Sequence, residues 1–72
     1  MEKEEFLAVI ENFLKKNNIA ASTFGKKTIN DQMLVFHLRK GRECLNSTQK
    51  KVLKFMEDYE RSQSNATEFQ NQ

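Results

Sequence analysis

The sequence predicts an all-α domain: a compact bundle of four helices followed by a flexible polar tail. Three observations carry that expectation. Proline is absent from the 72 residues and glycine occurs only at Gly25 and Gly41, so little in the chain forces turns or long extended segments. Apolar residues recur three and four apart rather than alternating, which is the period of a helix. The one compact apolar run, Met33-Leu34-Val35-Phe36, continues to Leu38 at that same spacing instead of breaking into a strand pattern.

The first helix is expected from Lys3 to about Asn17. Phe6, Leu7, Ile10, Phe13 and Leu14 lay one apolar stripe along it, with Glu4, Glu11, Lys15 and Lys16 on the other faces. Its acidic start and basic finish suit the helix dipole, and Asn17-Asn18 makes a natural exit.

A short second helix is expected from about Ala21 to Thr28, carrying Phe24 and Gly25, and a third over about residues 31–40. Asn30 or Asp31 is placed to cap the third by accepting a backbone N–H. Val35 and Leu38 face the core, with Leu34 beside them, and Gly41 is placed to take the left-handed conformation that stops the helix. After a link at Arg42–Leu45, the pair Asn46 and Gln49 resembles a capping box. A fourth helix then runs from about Ser47 to Arg61, with Val52, Leu53, Phe55, Met56 and Tyr59 on its apolar face and Lys50, Lys51 and Lys54 on its polar one. Residues 1–61 form one domain, and residues 62–72, polar apart from Phe69, form the tail.

Composition narrows the functional classes. A 72-residue chain has room for one small core and little room for an enzyme pocket. No nucleophile and orienting carboxylate are recognisable beside the single histidine, His37, so no catalytic residues are expected. One cysteine, Cys44, allows no internal disulfide, and with His37 alone it cannot complete a four-ligand zinc site, so neither metal nor cofactor is expected. The acidic Met1-Glu2-Lys3-Glu4-Glu5 start and the lack of a long apolar stretch point to a cytoplasmic protein with no membrane association. No small-molecule substrate is evident.

The net charge of +2 conceals a partition. Residues 1–24 carry three bases and four acids, residues 25–54 eight bases against two acids, and residues 55–72 one base against four acids. The middle segment, at net +6, is attractive to a polyanion, because each cation that neutralises a phosphate releases condensed counterions. A solvated, solubilising face accounts for the charge equally well.

Two short helices joined by a tight turn, the second ending at a glycine amid arginines, form the arrangement of a helix-turn-helix. Close crossing of the two helices requires a small residue, and Gly25 supplies it at a cost of about 1 kcal/mol in helix propensity relative to alanine. Phe24-Gly25 followed by Val35, Leu38, Gly41 and Arg42 resembles the lambda-repressor-like, Cro-type helix-turn-helix family over about residues 19–57. That family pairs a large apolar residue with a small one in the first motif helix. It then places aliphatic and large apolar residues in the second helix, ahead of a glycine and a base. Ile29 stands where the family often has glycine, so the turn uses Asn30 as its left-handed residue or takes another shape. Ala20-Ala21 also lacks the hydroxyl cap and the glutamine that often start the first motif helix.

The resemblance implies a small transcriptional regulator, nucleoid-associated, that binds double-stranded DNA and reads the major groove with residues 31–40. With Val35 and Leu38 turned inward, Gln32, Met33, Phe36 and His37 are the expected base-reading residues, alongside Lys40 on the same outer face. Lys26, Lys27, Arg39, Lys40 and Arg42 are the expected phosphate contacts. One such unit covers a short half-site, so a homodimer or a protein partner is implied. Two other readings stay open at this point. Met33 and Phe36 are core or a dimer seam, or they dock a protein partner in an adaptor that touches no nucleic acid.

Overall fold

A computed structural model describes the backbone of residues 1–71 and the side-chain surroundings of residues 1–62. The fold is all-α, with four helices in the order α1 (Lys3–Asn17), α2 (Ala21–Ile29), α3 (Leu34–Arg39) and α4 (Asn46–Asn71). Among the described residues there is no strand, and no helix is long and apolar enough to cross a membrane.

Helix α1 forms over the expected residues and buries Phe6, Ile10, Phe13 and Leu14. Glu4 and Glu5 lie in its first turn and Lys15 and Lys16 in its last, each end matched to the helix dipole. Asn18 then enters the left-handed region, φ 55°, and the Ile19 N–H donates to the Leu14 carbonyl at 3.0 Å. This is a Schellman closure, in which the residue beyond the left-handed one packs back on the helix, and Ile19 does lie against the core.

Helix α2 also ends on a left-handed asparagine, with a wider return bond. Asn30 is left-handed at φ 58°, and the Asp31 N–H turns back to the Gly25 carbonyl at 3.1 Å. Asparagine tolerates this region better than other residues with a Cβ, so Ile29 can stand last in the helix where a glycine turn is absent.

Two expectations about helix starts are corrected. The third helix does not begin at residue 31. Asn30 is used up in ending α2, and Asp31–Met33 form a turn closed by the Leu34 N–H on the Asp31 carbonyl at 3.1 Å. The Asp31 Oδ1 accepts the Met33 N–H at 2.9 Å, but inside this turn; Met33 is the N-cap of α3, and no side chain caps it. The capping box is also absent. Asn46 is already helical, and the Gln49 side chain, only 9% exposed, donates its amide to the Met1 carbonyl at 3.1 Å. A buried amide needs a partner, and the chain start supplies it.

The end of α3 agrees with the sequence. Gly41 is left-handed at φ 93°, the Arg42 N–H donates to the His37 carbonyl at 3.1 Å and the Gly41 N–H to the Leu38 carbonyl at 3.0 Å. The helical backbone of α4 continues past Arg61 through the segment expected to be a tail. The side chains of residues 63–71, Phe69 included, and Gln72 lie outside the described residues.

The core sits where the four helices meet. Phe6, Ile10, Phe24, Val35 and Val52 are fully buried, at least one from each helix. Each contributes about 1.5–3 kcal/mol through loss of apolar surface to water. A chain of rings ties α4 to α1 and α2: Phe13 meets Phe24 at 5.5 Å and Tyr59 at 5.4 Å, and Phe55 meets Phe24 at 5.9 Å. These are tilted or edge-on contacts, the arrangement that ring quadrupoles favour.

Gly25 lies where the turn after α2 and the start of α3 press against α2. A Cβ there would overlap the Asp31 carbonyl oxygen and sit 3.2 Å from the Leu34 Cβ. The obstacle is backbone, which cannot swing aside as a side-chain end can. Gly25→Ala is therefore expected to lower stability by about 1–3 kcal/mol despite alanine's better helix propensity. Gly41→Ala meets nothing within 4 Å, so only its left-handed φ acts against it, at about 1–2 kcal/mol. Urea unfolding of both variants checks this, and a Gly25→Ala protein as stable as the parent contradicts the crossing.

Candidate nucleic-acid interface

Leu34, Val35 and Leu38 are buried, which fixes the rotation of α3 about its axis. At about 100° per residue, Met33, Phe36 and Lys40 then fall on the opposite side. Met33 is 41% exposed, Phe36 is half-buried and Lys40 is exposed. Gln32 is exposed too, but it projects from the turn and not from the helix.

The turn and the end of α2 make a shallow concavity of about 370 Å³ lined by Lys26, Asn30, Asp31, Gln32 and Met33. Three sequence-predicted site residues, Lys26, Gln32 and Met33, thus share one surface. The Asx turn at Asp31 sets their spacing by pinning the Met33 backbone.

His37 is set apart from them. It is half-buried and lines a different cleft, with Ile29, Leu34, Arg42, Cys44 and Thr48 among its neighbours. Burial pushes the Cys44 thiol up, with a hydrogen bond to Gln49 working the other way. A thiol so held is protonated and poorly nucleophilic at neutral pH.

The cations divide into two groups. Among the described residues, Lys26, Lys27, Lys40 and Arg42 are exposed and take part in no ion pair. Arg39 is different. Its Nε donates to Glu11 Oε2 and its Nη2 to Glu11 Oε1, both at 2.8 Å, a bidentate fork between α3 and α1. The guanidinium carbon also lies 5.6 Å from the centre of the Phe36 ring, within cation–π range. A second tie runs from Lys3 Nζ to the Gly41 carbonyl at 3.1 Å. Helix α1 therefore grips the C-terminal end of α3 at two points.

Sequence reasoning missed Glu11 and Lys3 as parts of this site. Glu11 reads as a residue off the apolar face of an amphipathic helix and Lys3 only as the start of that helix, and their partners lie 28 and 38 residues away. The role of Asp31 was half visible, since an Asx residue at a helix start was expected to accept a backbone N–H and does so within the turn.

The Arg39 hydrogen bonds hold the Glu11 carboxyl below the ordinary carboxylate range, against a smaller opposing effect of burial. A depressed folded-state pKa contributes stability above the unfolded pKa of about 4.3 and loses it as pH falls through the folded value. Both side chains are about 40% exposed, so solvent screening keeps the contribution under about 1 kcal/mol. The stability difference between the parent and Glu11→Gln should be level near neutral pH and shrink on acidification below the glutamate range. Urea midpoints across that range measure it, and a difference that grows in acid would overturn the assignment.

Compared with protein-family models, with curated proteins and with solved structures, the chain matches none.

Proposed function

We propose that this chain is a sequence-specific double-stranded DNA-binding protein, a small transcriptional regulator that seats α3 and the turn before it in the major groove. The observation that carries the proposal is the outward side of α3. There the large apolar groups Met33 and Phe36 stand with Lys40 on the side of α3 opposite its core-locked residues, and Gln32 projects beside them from the preceding turn. The tight α2–α3 crossing at Gly25 and the stop at Gly41 support it, being features of the helix-turn-helix that the residue pattern resembles.

In this reading Gln32 pairs with an adenine edge, and Met33 and Phe36 meet thymine methyl groups. Lys26 and Lys27 on one flank, with Lys40 and Arg42 on the other, neutralise phosphates. His37, at the border of the face, touches the groove wall or a phosphate. A helix of six residues reads only a few base pairs, so binding as a homodimer or with a protein partner follows.

Duplex DNA of random sequence, titrated at rising salt, tests the electrostatic half of the proposal. Log affinity should fall linearly with log salt, and Lys40→Ala should make the slope shallower by about 0.9. Fragments selected from a random pool test the other half: Gln32→Ala should lose about tenfold or more on the selected site while random-sequence affinity stays level. Absence of binding at low salt sinks the proposal.

A further inference from the structure

The fork between Glu11 and Arg39 gives α1 a part in recognition, although α1 lies away from the reading face. We propose, resting on the DNA-binding reading above, that Glu11 is a specificity-determining positioning residue: it withholds Arg39 from the DNA backbone and fixes it as a platform for Phe36.

Three observations carry this. Arg39 is the last residue of α3, beside Lys40 and three residues after Phe36, where a free arginine would reach a phosphate. Two of its donors are committed to the two oxygens of one carboxylate, so the pair is neutral as a unit. The remaining guanidinium surface lies over the Phe36 ring. A neutral pair releases no counterion when it approaches a phosphate, whereas a free arginine adds affinity for every sequence alike. Glu11 thus removes a sequence-blind contact and at the same time steadies a side chain that meets base edges.

The test compares the full chain with two variants, Glu11→Gln and the double variant Glu11→Gln/Arg39→Gln, on random duplex DNA and on a selected site. Freeing Arg39 in the single variant should steepen the random-DNA salt slope by about 0.9. It should also tighten random binding and lower the ratio of selected to random affinity several-fold. The double variant removes a neutral unit, so its salt slope should equal the parent's while its selected-site affinity drops, because Phe36 has lost its support. A merely structural fork would shift unfolding midpoints and leave the salt slopes alone.

Equal slopes in the parent and Glu11→Gln overturn the inference while leaving DNA binding intact. If Glu11→Gln fails to fold, the double variant still decides: a slope shallower than the parent's by about 0.9 would mean that Arg39 contacts phosphate in the parent. A parent that does not bind DNA at all removes the reading on which the inference rests, which is a different outcome from either.

Discussion

The absence of a side chain at Gly25 governs the geometry of this small bundle. Because nothing projects there, the Asp31 carbonyl and the Leu34 side chain come down onto α2. The chain can then reverse within a few residues. Asn30 absorbs the reversal in a left-handed conformation, and Asp31 ties off the turn with its own carboxylate. From that placement Leu34, Val35 and Leu38 enter the core together, and the side of α3 bearing Met33, Phe36 and Lys40 is left facing out. The composition of the exposed face thus follows from a packing decision made on the neighbouring helix.

Helix α3 has six residues and could not persist alone, since isolated helices below about 12–15 residues are marginal in water. It is held from several directions. Its three buried side chains pack into the core, Glu11 and Lys3 of α1 fasten its far end, and Gly41 closes it. Helix α4 supports the arrangement indirectly, through the ring contacts of Phe55 and Tyr59 and through Gln49, which anchors the start of the chain. The polar ties to α1 are exposed and individually weak. Their value lies in direction, because apolar packing alone sets the burial of α3 but leaves its long polar side chains unplaced.

Much of this was legible in the sequence where the physics is local. The stripe Phe6, Ile10, Phe13 and Leu14 located α1, and Asn18 and Gly41 marked the ends of α1 and α3 because few residues accept a positive φ. The small residue at the crossing was also visible as Gly25. Starts were harder. Asn30 satisfied the signal for a cap, yet it was taken by the end of the preceding helix, which shortened α3 to begin at Leu34. Asn46 and Gln49 had the spacing of a capping box, yet a buried amide found a better acceptor at Met1. Within the candidate site, the rotation of α3 could be read from three buried positions, whereas the capture of Arg39 could not. An exposed glutamate on an amphipathic helix carries no mark of a partner 28 residues away.

Because α3 owes its shape to Leu34, Val35 and Leu38 and to the ties at its end, the identities of Gln32, Met33 and Lys40 are almost free of structural duty. Those positions can change without endangering the scaffold, so chains with the same inward residues can differ widely on the outward surface. Phe36 is the exception, since its ring is bound up with Arg39 and through it with α1. A substitution at Phe36 would disturb two helices at once, which makes that position the constrained part of an otherwise interchangeable surface.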